Sequence, residues 1–327
     1  KGLVGWLQGR KVYARWPRPR RFDRNLVVIG AGAGGLVSAY IAAAVKAEVT
    51  LVEAERMGGD CLNTGCVPSK ALIRAAKLAH QMQRAGEFGL APSAPVQVDF
   101  PAVMARVRRV IEQIEPHDSV ARYTALGVQV LQGHARITTP WTVEVTDNAG
   151  ARQTLSTRHI IIAAGAAPIV PAIPGLAEAG CLTSETLWQL QCLPQRLMVL
   201  GGGPIGCELA QCFARLGSQV TLVEAAPRLL LREDADAAEL VAQSLRADGV
   251  TLLTGHTALR VEAGANGPQL QVRGPDGSEL AVPYDQLLCA VGRRPRVQGY
   301  GLEELGITLA PNHTIATDGF LATSLPN

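Results

Sequence analysis

Two stretches of this chain follow the same plan 171 residues apart, and that repetition limits the fold more than any other feature. Leu26-Val27-Val28-Ile29 is a short apolar strand leading into Gly30-Ala31-Gly32-Ala33-Gly34-Gly35, and a second strand, Val49-Thr50-Leu51-Val52, ends on Glu53. Leu197-Met198-Val199-Leu200, then Gly201-Gly202-Gly203-Pro204-Ile205-Gly206, then Val220-Thr221-Leu222-Val223 ending on Glu224 repeat it. Gly201, Gly203, Gly206 and Glu224 each stand 171 positions after Gly30, Gly32, Gly35 and Glu53. Strand, glycine turn, helix, strand and acid together describe a dinucleotide-binding unit. The glycines let a backbone approach a pyrophosphate at a helix N-terminus, and the acid accepts from a ribose 2′-OH. Two copies with identical internal spacing predict two separate sites. The competing reading of the first copy is a membrane helix, because 26–45 carries no charge and Gly30 and Gly34 form a GxxxG. Four glycines within six positions weaken a helix, and the run divides into strand, turn and amphipathic helix with the acid at the expected distance.

Directly after the first copy, Gly58 to Lys70 (GGDCLNTGCVPSK) places Cys61 and Cys66 five positions apart. On a regular helix that spacing puts them on different faces, so Asn63-Thr64-Gly65 is expected to distort or delay the helix. A short loop holding two thiols within bonding distance is suited to exchanging electrons; two small buried cysteines are the alternative. The second copy has no comparable pair. Cys207 and Cys212 keep the gap but fall inside a helix and read as packing, and Cys181, Cys192 and Cys289 read as core fillers. Seven cysteines with one convincing pair do not resemble a secreted disulphide framework. No Cys/His cluster has zinc spacing, so no metal site is expected.

A chain of 327 residues with 47% hydrophobic content can fill two cores, so two domains are expected. The net charge of +3 hides an asymmetry: residues 1–24 sum to +7 and the remainder to −4. The basic arm, with Trp6, Tyr13 and Trp16 interleaved, is expected to be a solvated linker, with contact to anionic lipid or nucleic acid as the alternative. A chain beginning at Lys1 suggests a missing upstream segment, for which a juxtamembrane linker is one reading; no signal peptide is recognisable. Helices are expected over 69–85 and 101–116, short alternating strands between Val128 and Leu155, and a buried strand at Ile160–Gly165. Pro168, Pro171 and Pro174 mark a stiff boundary, and Gln269–Arg273 with Glu279–Pro283 reads as a hairpin turning at Pro275-Asp276-Gly277. The expected division is a basic arm over 1–22, one domain over 23–172 with a return segment 293–327, and a second over 173–292.

With these motifs assembled, the chain resembles the class I pyridine nucleotide-disulphide oxidoreductases, the group of dihydrolipoyl dehydrogenase, mercuric reductase and glutathione reductase. The resemblance covers about 22 to 327 and rests on Gly30–Gly35, the cysteine segment, Ala163–Pro168 (similar to the family's ATGxxP turn, with Ala164 where Thr is usual), Gly201–Glu208 and Ala290–Pro295. It implies a three-layer α/β fold of two Rossmann-like domains with β-meander insertions, one for FAD and one for NAD(P). On the FAD side it implies Gly30, Gly32, Gly35, Glu53, Gly59, Lys70, Ala164 and Gly165. On the nicotinamide side it implies Gly201, Gly203, Gly206, Glu224 and Gly292. Cys66 matches the thiol that lies against the flavin, Cys61 the outer interchange thiol, Lys70 the lysine near flavin N5, and Glu208 the carboxylate paired with it. A cation beside N5 stabilises negative charge on a reduced flavin. Pro-Ser-Lys at 68–70 looks more like dihydrolipoyl dehydrogenase or mercuric reductase than glutathione reductase. Pro204 occupies the place of the tyrosine gate of glutathione reductases. Glu224 would repel a 2′-phosphate and so favours NADH, while nearby Arg228 and Arg232 leave NADPH open.

The family pattern continues beyond Asn327 with a second flavin motif and a dimerisation domain carrying a His/Glu acid–base pair, so a fragment of a homodimeric enzyme is expected. The leading expectation is an oxidoreductase passing electrons between NAD(P)H, FAD and a Cys61–Cys66 disulphide to a small-molecule disulphide or a thiophilic metal, as in mercuric reductase. The alternatives are the reverse direction, oxidising a dithiol such as dihydrolipoamide, and a redox-sensing module that binds FAD and NADH without turnover. A cytoplasmic location is expected, membrane-associated through the missing segment as the alternative, and no nucleic acid partner.

Overall fold

The computed structural model describes Tyr13, residues 16–90, 96–264, 267–325 and Asn327. The described residues form two compact units, one within 1–63, 112–167 and 294–327 and the other within 64–111 and 168–293. Residues 64–111 thus group with the second unit, whereas sequence order places them inside 23–172.

In the first unit, β1 (Arg24–Ile29) lies parallel between β2 (Val49–Glu53) and the later half of β5 (Arg152–Ile162), with Leu26 opposite Val49 and His159. β2 pairs in parallel with the first half of β3 (Val128–Thr139). The second half of β3 then turns away to pair antiparallel with β4 (Thr142–Asp147), which returns along the first half of β5. The change of partner falls at Gly133, which has φ 153° and faces Asp147; a Cβ there would stand 2.3 Å from the Thr146 carbonyl oxygen. Only glycine allows that approach.

β1 is buried on both faces, as expected of a central parallel strand. Leu26 and Val28 pack with α1 (Ala33–Ala44) and with Tyr123 of α5 (Val120–Ala125). Val27 and Ile29 pack on the opposite side against Ile137, Val143, Val145 and Leu155 of the meander. The result is helix, parallel sheet and antiparallel sheet in three layers. The run 26–45 is therefore strand, turn and a 12-residue helix, not a membrane span; among the described residues no helix is long and apolar enough to cross a membrane.

The described part of the basic arm is not a solvated linker, and this corrects the expectation. Tyr13 packs against Trp141 with ring centroids 4.9 Å apart and the planes tilted by 42°, and Phe22 lies 5.9 Å from the same ring. The Arg18 guanidinium sits 5.3 Å from the Trp141 ring and Arg158 sits 5.4 Å from Phe22, both cation–π distances. Half-buried Trp16 joins the meander-side core. Burial raises the Tyr13 hydroxyl to about 12. Trp6, with Lys1, Arg10, Lys11 and Arg15, lies outside the described residues.

The second unit repeats the three layers. Its parallel sheet has the order β13 (Gln286–Cys289), β7 (Arg196–Leu200), β8 (Gln219–Glu224), β9 (Thr251–Thr254). Leu197 and Val199 of β7 face a helical layer of α3 (Cys66–Gln83), α4 (Phe100–Ile114), α7 (Pro204–Leu216) and α8 (Ala235–Ala247). Met198 and Leu200 face an antiparallel sheet of β10 (Thr257–Gly264), β11 (Gly267–Arg273) and β12 (Glu279–Pro283) through Val261, Leu270 and Val272. The expected hairpin is β11–β12, closed by Arg273 opposite Glu279. Alternate residues of one strand thus serve two cores, as a sheet buried on both faces requires.

Phe213 of α7 is fully buried, 5.9 Å from the Phe100 ring, where the helical layer meets the sheet. Phe213→Ala is expected to lower the stability of the second unit by about 3–5 kcal/mol through lost burial and a residual cavity. Urea unfolding should show a lower midpoint with an unchanged slope; a loss below about 1 kcal/mol would contradict this account of the core.

Candidate functional site

The two glycine turns are built by the same contacts. Gly30 and Gly201 have φ 99° and 105°, and a Cβ on either would stand within 2.5 Å of the carbonyl oxygen of Ala163 or Ala290, at the end of the adjoining strand. A Cβ on Gly35 or Gly206 would stand 1.8 or 2.0 Å from the carbonyl oxygen of Gly30 or Gly201. These four glycines are demanded by the fold. The middle glycines are not. Gly32 and Gly203 have extended backbones (φ −79° and −76°) open to any residue. The atom nearest a Cβ on Gly32 would be Gly59 Cα at 3.9 Å, and among the described residues none lies within 4 Å of one on Gly203. Neither conformation nor a protein neighbour explains these two glycines. A group approaching the backbone from outside does, at the place where unbonded N–H groups open α1 and α7. The residues present therefore fit a dinucleotide at each turn.

The two acids are also held alike. Glu53 Oε2 accepts from the Ala31 N–H at 2.6 Å and its Oε1 from the Glu55 N–H at 2.8 Å. Glu224 Oε2 accepts from the Gly202 N–H at 2.6 Å and its Oε1 from the Ala226 N–H at 2.7 Å. The donors repeat at the 171-residue offset. Each carboxylate oxygen keeps a further lone pair for a hydroxyl. Gly59 (φ 53°) approaches Gly32 so closely that its Cβ would stand 2.6 Å from Gly32 Cα. The turns after the last parallel strands complete the pattern. The Gly165 carbonyl accepts from Arg296 N, the Gly292 carbonyl accepts from Ile169 N, and Ala164 is half-buried.

The thiol segment has the expected interruption. α2 (Gly59–Asn63) carries half-buried Cys61 and closes on Asn63, whose Nδ2 donates to the carbonyls of Met57 and Gly59. Gly65, with φ −120° and ψ −106°, is not helical, and α3 starts at Cys66, three residues before the expected 69. Cys66 is exposed, and neither cysteine forms a disulphide. Cys61 belongs to the first unit and Cys66 to the second.

Within the second unit, Lys70 of α3 and Glu208 of α7 meet in a two-pronged ion pair, Nζ to Oε1 at 3.0 Å and to Oε2 at 2.9 Å. Both side chains are exposed, 60% and 44%. A pair that open contributes little to stability; its effect is to fix where the ammonium stands.

Three of the other thiols are chemically quiet, and one differs from expectation in its place. Burial pushes Cys207 up to about 11 and Cys212 and Cys289 up to about 12, so each stays protonated and unreactive near neutrality. Cys192, expected in a core, is exposed. Arg228 likewise differs from expectation. Its Nη1 donates to the Leu229 and Leu230 carbonyls and its Nη2 to those of Leu231 and Glu233, so the guanidinium is committed to its own loop. Sequence spacing gives no sign of this, because carbonyls are carried by every residue.

A family model described as pyridine nucleotide-disulphide oxidoreductase matches residues 24–327. A mercuric reductase of Streptomyces lividans is 37% identical over 303 residues, covering 92% of this chain and 63% of that protein. A dihydrolipoyl dehydrogenase of Pseudomonas aeruginosa is 36% identical over 308 residues, covering 93% and 64%. Among solved structures, the HOCl-induced flavoprotein disulfide reductase RclA from Escherichia coli superposes with a TM-score of 0.77 at 30% identity, covering 93% of this chain and 64% of that one. The chain thus spans a little under two thirds of the length of these relatives. With the duplicated glycine turns and the cysteine segment in place, the chain belongs to the pyridine nucleotide-disulphide oxidoreductase family.

Proposed function

We propose that this chain is the electron-transferring part of a flavin-dependent disulphide oxidoreductase, in which Cys61 and Cys66 alternate between dithiol and disulphide. The observation that carries the proposal is the pair of glycines, Gly32 and Gly203, that neither their backbone conformation nor any neighbour among the described residues requires. They support two nucleotide sites, and only the first is followed by a cysteine pair with an interruption of the helix between its members. The division proposed is FAD binding by 23–172 with 293–327, and nicotinamide nucleotide binding by 173–292. Gly30, Gly32, Gly35, Glu53, Gly59, Ala164 and Gly165 would hold the FAD; Gly201, Gly203, Gly206, Glu224 and Gly292 would hold the nucleotide. Bound FAD would supply a hydride acceptor that links the nicotinamide to the cysteine pair, chemistry that no side chain here offers.

The chain's own residues do the rest. Cys61, as thiolate, attacks one sulphur of a substrate disulphide and expels the other as a thiol; Cys66 then displaces the substrate from the mixed disulphide, closing Cys61–Cys66. Two electrons leave the cysteine pair and two thiols leave the substrate. A thiophilic metal ion bound by the same two thiolates is the other substrate class in keeping with the mercuric reductase relative. Lys70, fixed by Glu208, presents a cation that favours negative charge nearby. NADH is the favoured nucleotide, because Glu224 repels a 2′-phosphate and Arg228 is committed to carbonyls.

Alkylation at pH 8 under anaerobic conditions, read by mass spectrometry, tests the proposal on the mildly oxidised, FAD-loaded chain. Cys61 and Cys66 should be labelled only after NADH is added. Cys207, Cys212 and Cys289 should stay unlabelled throughout, since burial holds them at about 11–12. An unchanged thiol count on adding NADH would sink the proposal. Gly203→Ala should fold normally yet bind NADH about tenfold or more weaker, measured by calorimetry, whereas Gly206→Ala should impair folding itself. NADH should bind about tenfold tighter than NADPH; equal affinities would remove the role given to Glu224.

A further inference from the structure

The carbonyl of Thr64, midway between the two cysteines, lies past the end of α2, where backbone oxygens have no partner within the helix. In a continuous helix that oxygen would accept from the N–H four residues on, at position 68. Position 68 is Pro68, which has no N–H. The sequence therefore withholds the helical donor from this carbonyl, and a side chain takes its place.

The donor is Trp188. Its indole Nε1 donates to Thr64 O at 2.8 Å, and shares the proton with Ser184 O, also at 2.8 Å. The ring is firmly mounted. Leu187 beside it is fully buried, and Leu187 N donates to Thr183 O at 3.0 Å. Arg293 Nη1 donates to Ser184 Oγ at 3.1 Å, tying the same turn to the segment after Gly292. All these residues lie in the second unit, as do Thr64 and Cys66.

We infer that Trp188 is a positioning residue for the redox pair: by capturing Thr64 O it sets where the peptide enters Gly65 and hence where α3 presents Cys66. The inference rests on the proposed dithiol–disulphide role of Cys61 and Cys66. Closing that disulphide depends on the effective concentration of one thiol at the other, which falls when the loop between them is released. Trp188 neither touches sulphur nor moves a proton. It restricts the backbone that carries one.

The test is a redox titration of the chain in glutathione buffers, with Cys61 and Cys66 counted by differential alkylation. Closing the pair passes two electrons and two protons to glutathione disulphide and releases two glutathiones. Trp188→Phe keeps a ring and removes the N–H, and it should lower the closing constant about fivefold or more, the factor equal to about 1 kcal/mol. Leu245→Ala, a core truncation in α8 remote in sequence from both segments, should leave that constant unchanged. Equal constants in wild type and Trp188→Phe would overturn the inference and spare the redox role. An equal shift in both variants would also overturn it, since general loosening would then suffice. A wild-type chain that forms no Cys61–Cys66 disulphide at any glutathione ratio would instead overturn the redox role itself. Should Trp188→Phe not fold, replacing the indole by benzothiophene keeps the shape without the donor and gives the same comparison.

Discussion

Each glycine turn of this protein is held by one carboxylate at the carboxyl edge of its parallel sheet. Glu53 and Glu224 each tie the N–H inside a glycine turn to the N–H two residues beyond the strand that bears the acid. A turn tight enough for Gly35 to rest on the Gly30 carbonyl leaves backbone donors pointing into space, and the carboxylate gathers one of them. This bond has a consequence for recognition. The acid that would receive a ribose is already oriented by two backbone donors before any ligand arrives, so less freedom is lost on binding. The same oxygens that hold the turn keep lone pairs for the sugar.

How much of this is legible in the sequence depends on how local each cause is. The glycine turns, the acids and the interrupted helix between the cysteines are set by residues close together in the chain, and their spacing shows them. Helix α3 starts earlier than expected because Pro68 stands in its first turn, where the N–H it lacks would have no acceptor within the helix. The Lys70–Glu208 pair is reached only through matched motifs, since nothing in a lone lysine and a lone glutamate 138 residues apart announces an ion pair. The arm is misleading because charge dominates its composition, while Tyr13, Trp16 and Phe22 decide where it lies through contacts with Trp141 and the meander core. Trp188 escapes a sequence reading for a related reason: its partner is a backbone oxygen 124 residues away, and any residue carries one.

The grouping of 64–111 with the second unit has the same origin. Ala71, Leu72 and Ala76 of α3 and Met104 and Val107 of α4 are small or apolar residues at helical spacing, and sequence order suggests that they cover the first sheet. They share a core instead with Phe213 and Leu222. Periodicity reveals that a helix has a buried face, not which sheet the face meets. The segment from Cys61 to Cys66 is consequently the first of four places where the chain passes from one unit to the other.

The two copies stay alike up to one further hydrogen bond and then part. In the first, Gly58 N donates to Ala31 O at 2.9 Å; in the second, Leu230 N donates to Gly202 O at 2.9 Å. The accepting carbonyls are equivalent, 171 residues apart, and in both the segment after the acid is drawn back across the glycine turn. Past that bond the chains differ. After Gly58 the chain enters α2 with Cys61, and Gly59 lies against Gly32, so the thiol segment starts from the floor of the nucleotide turn itself. Around Leu230 the loop is instead fastened by Arg228 through the carbonyls of Leu229, Leu230, Leu231 and Glu233, and it carries no sulphur. One repeated glycine-turn plan thus leads into two different segments, and the two copies part just past this bond. Beyond it, one copy leads into the helix that carries Cys61 and the other into a loop fastened on its own carbonyls, and the difference comes from a single short segment in each.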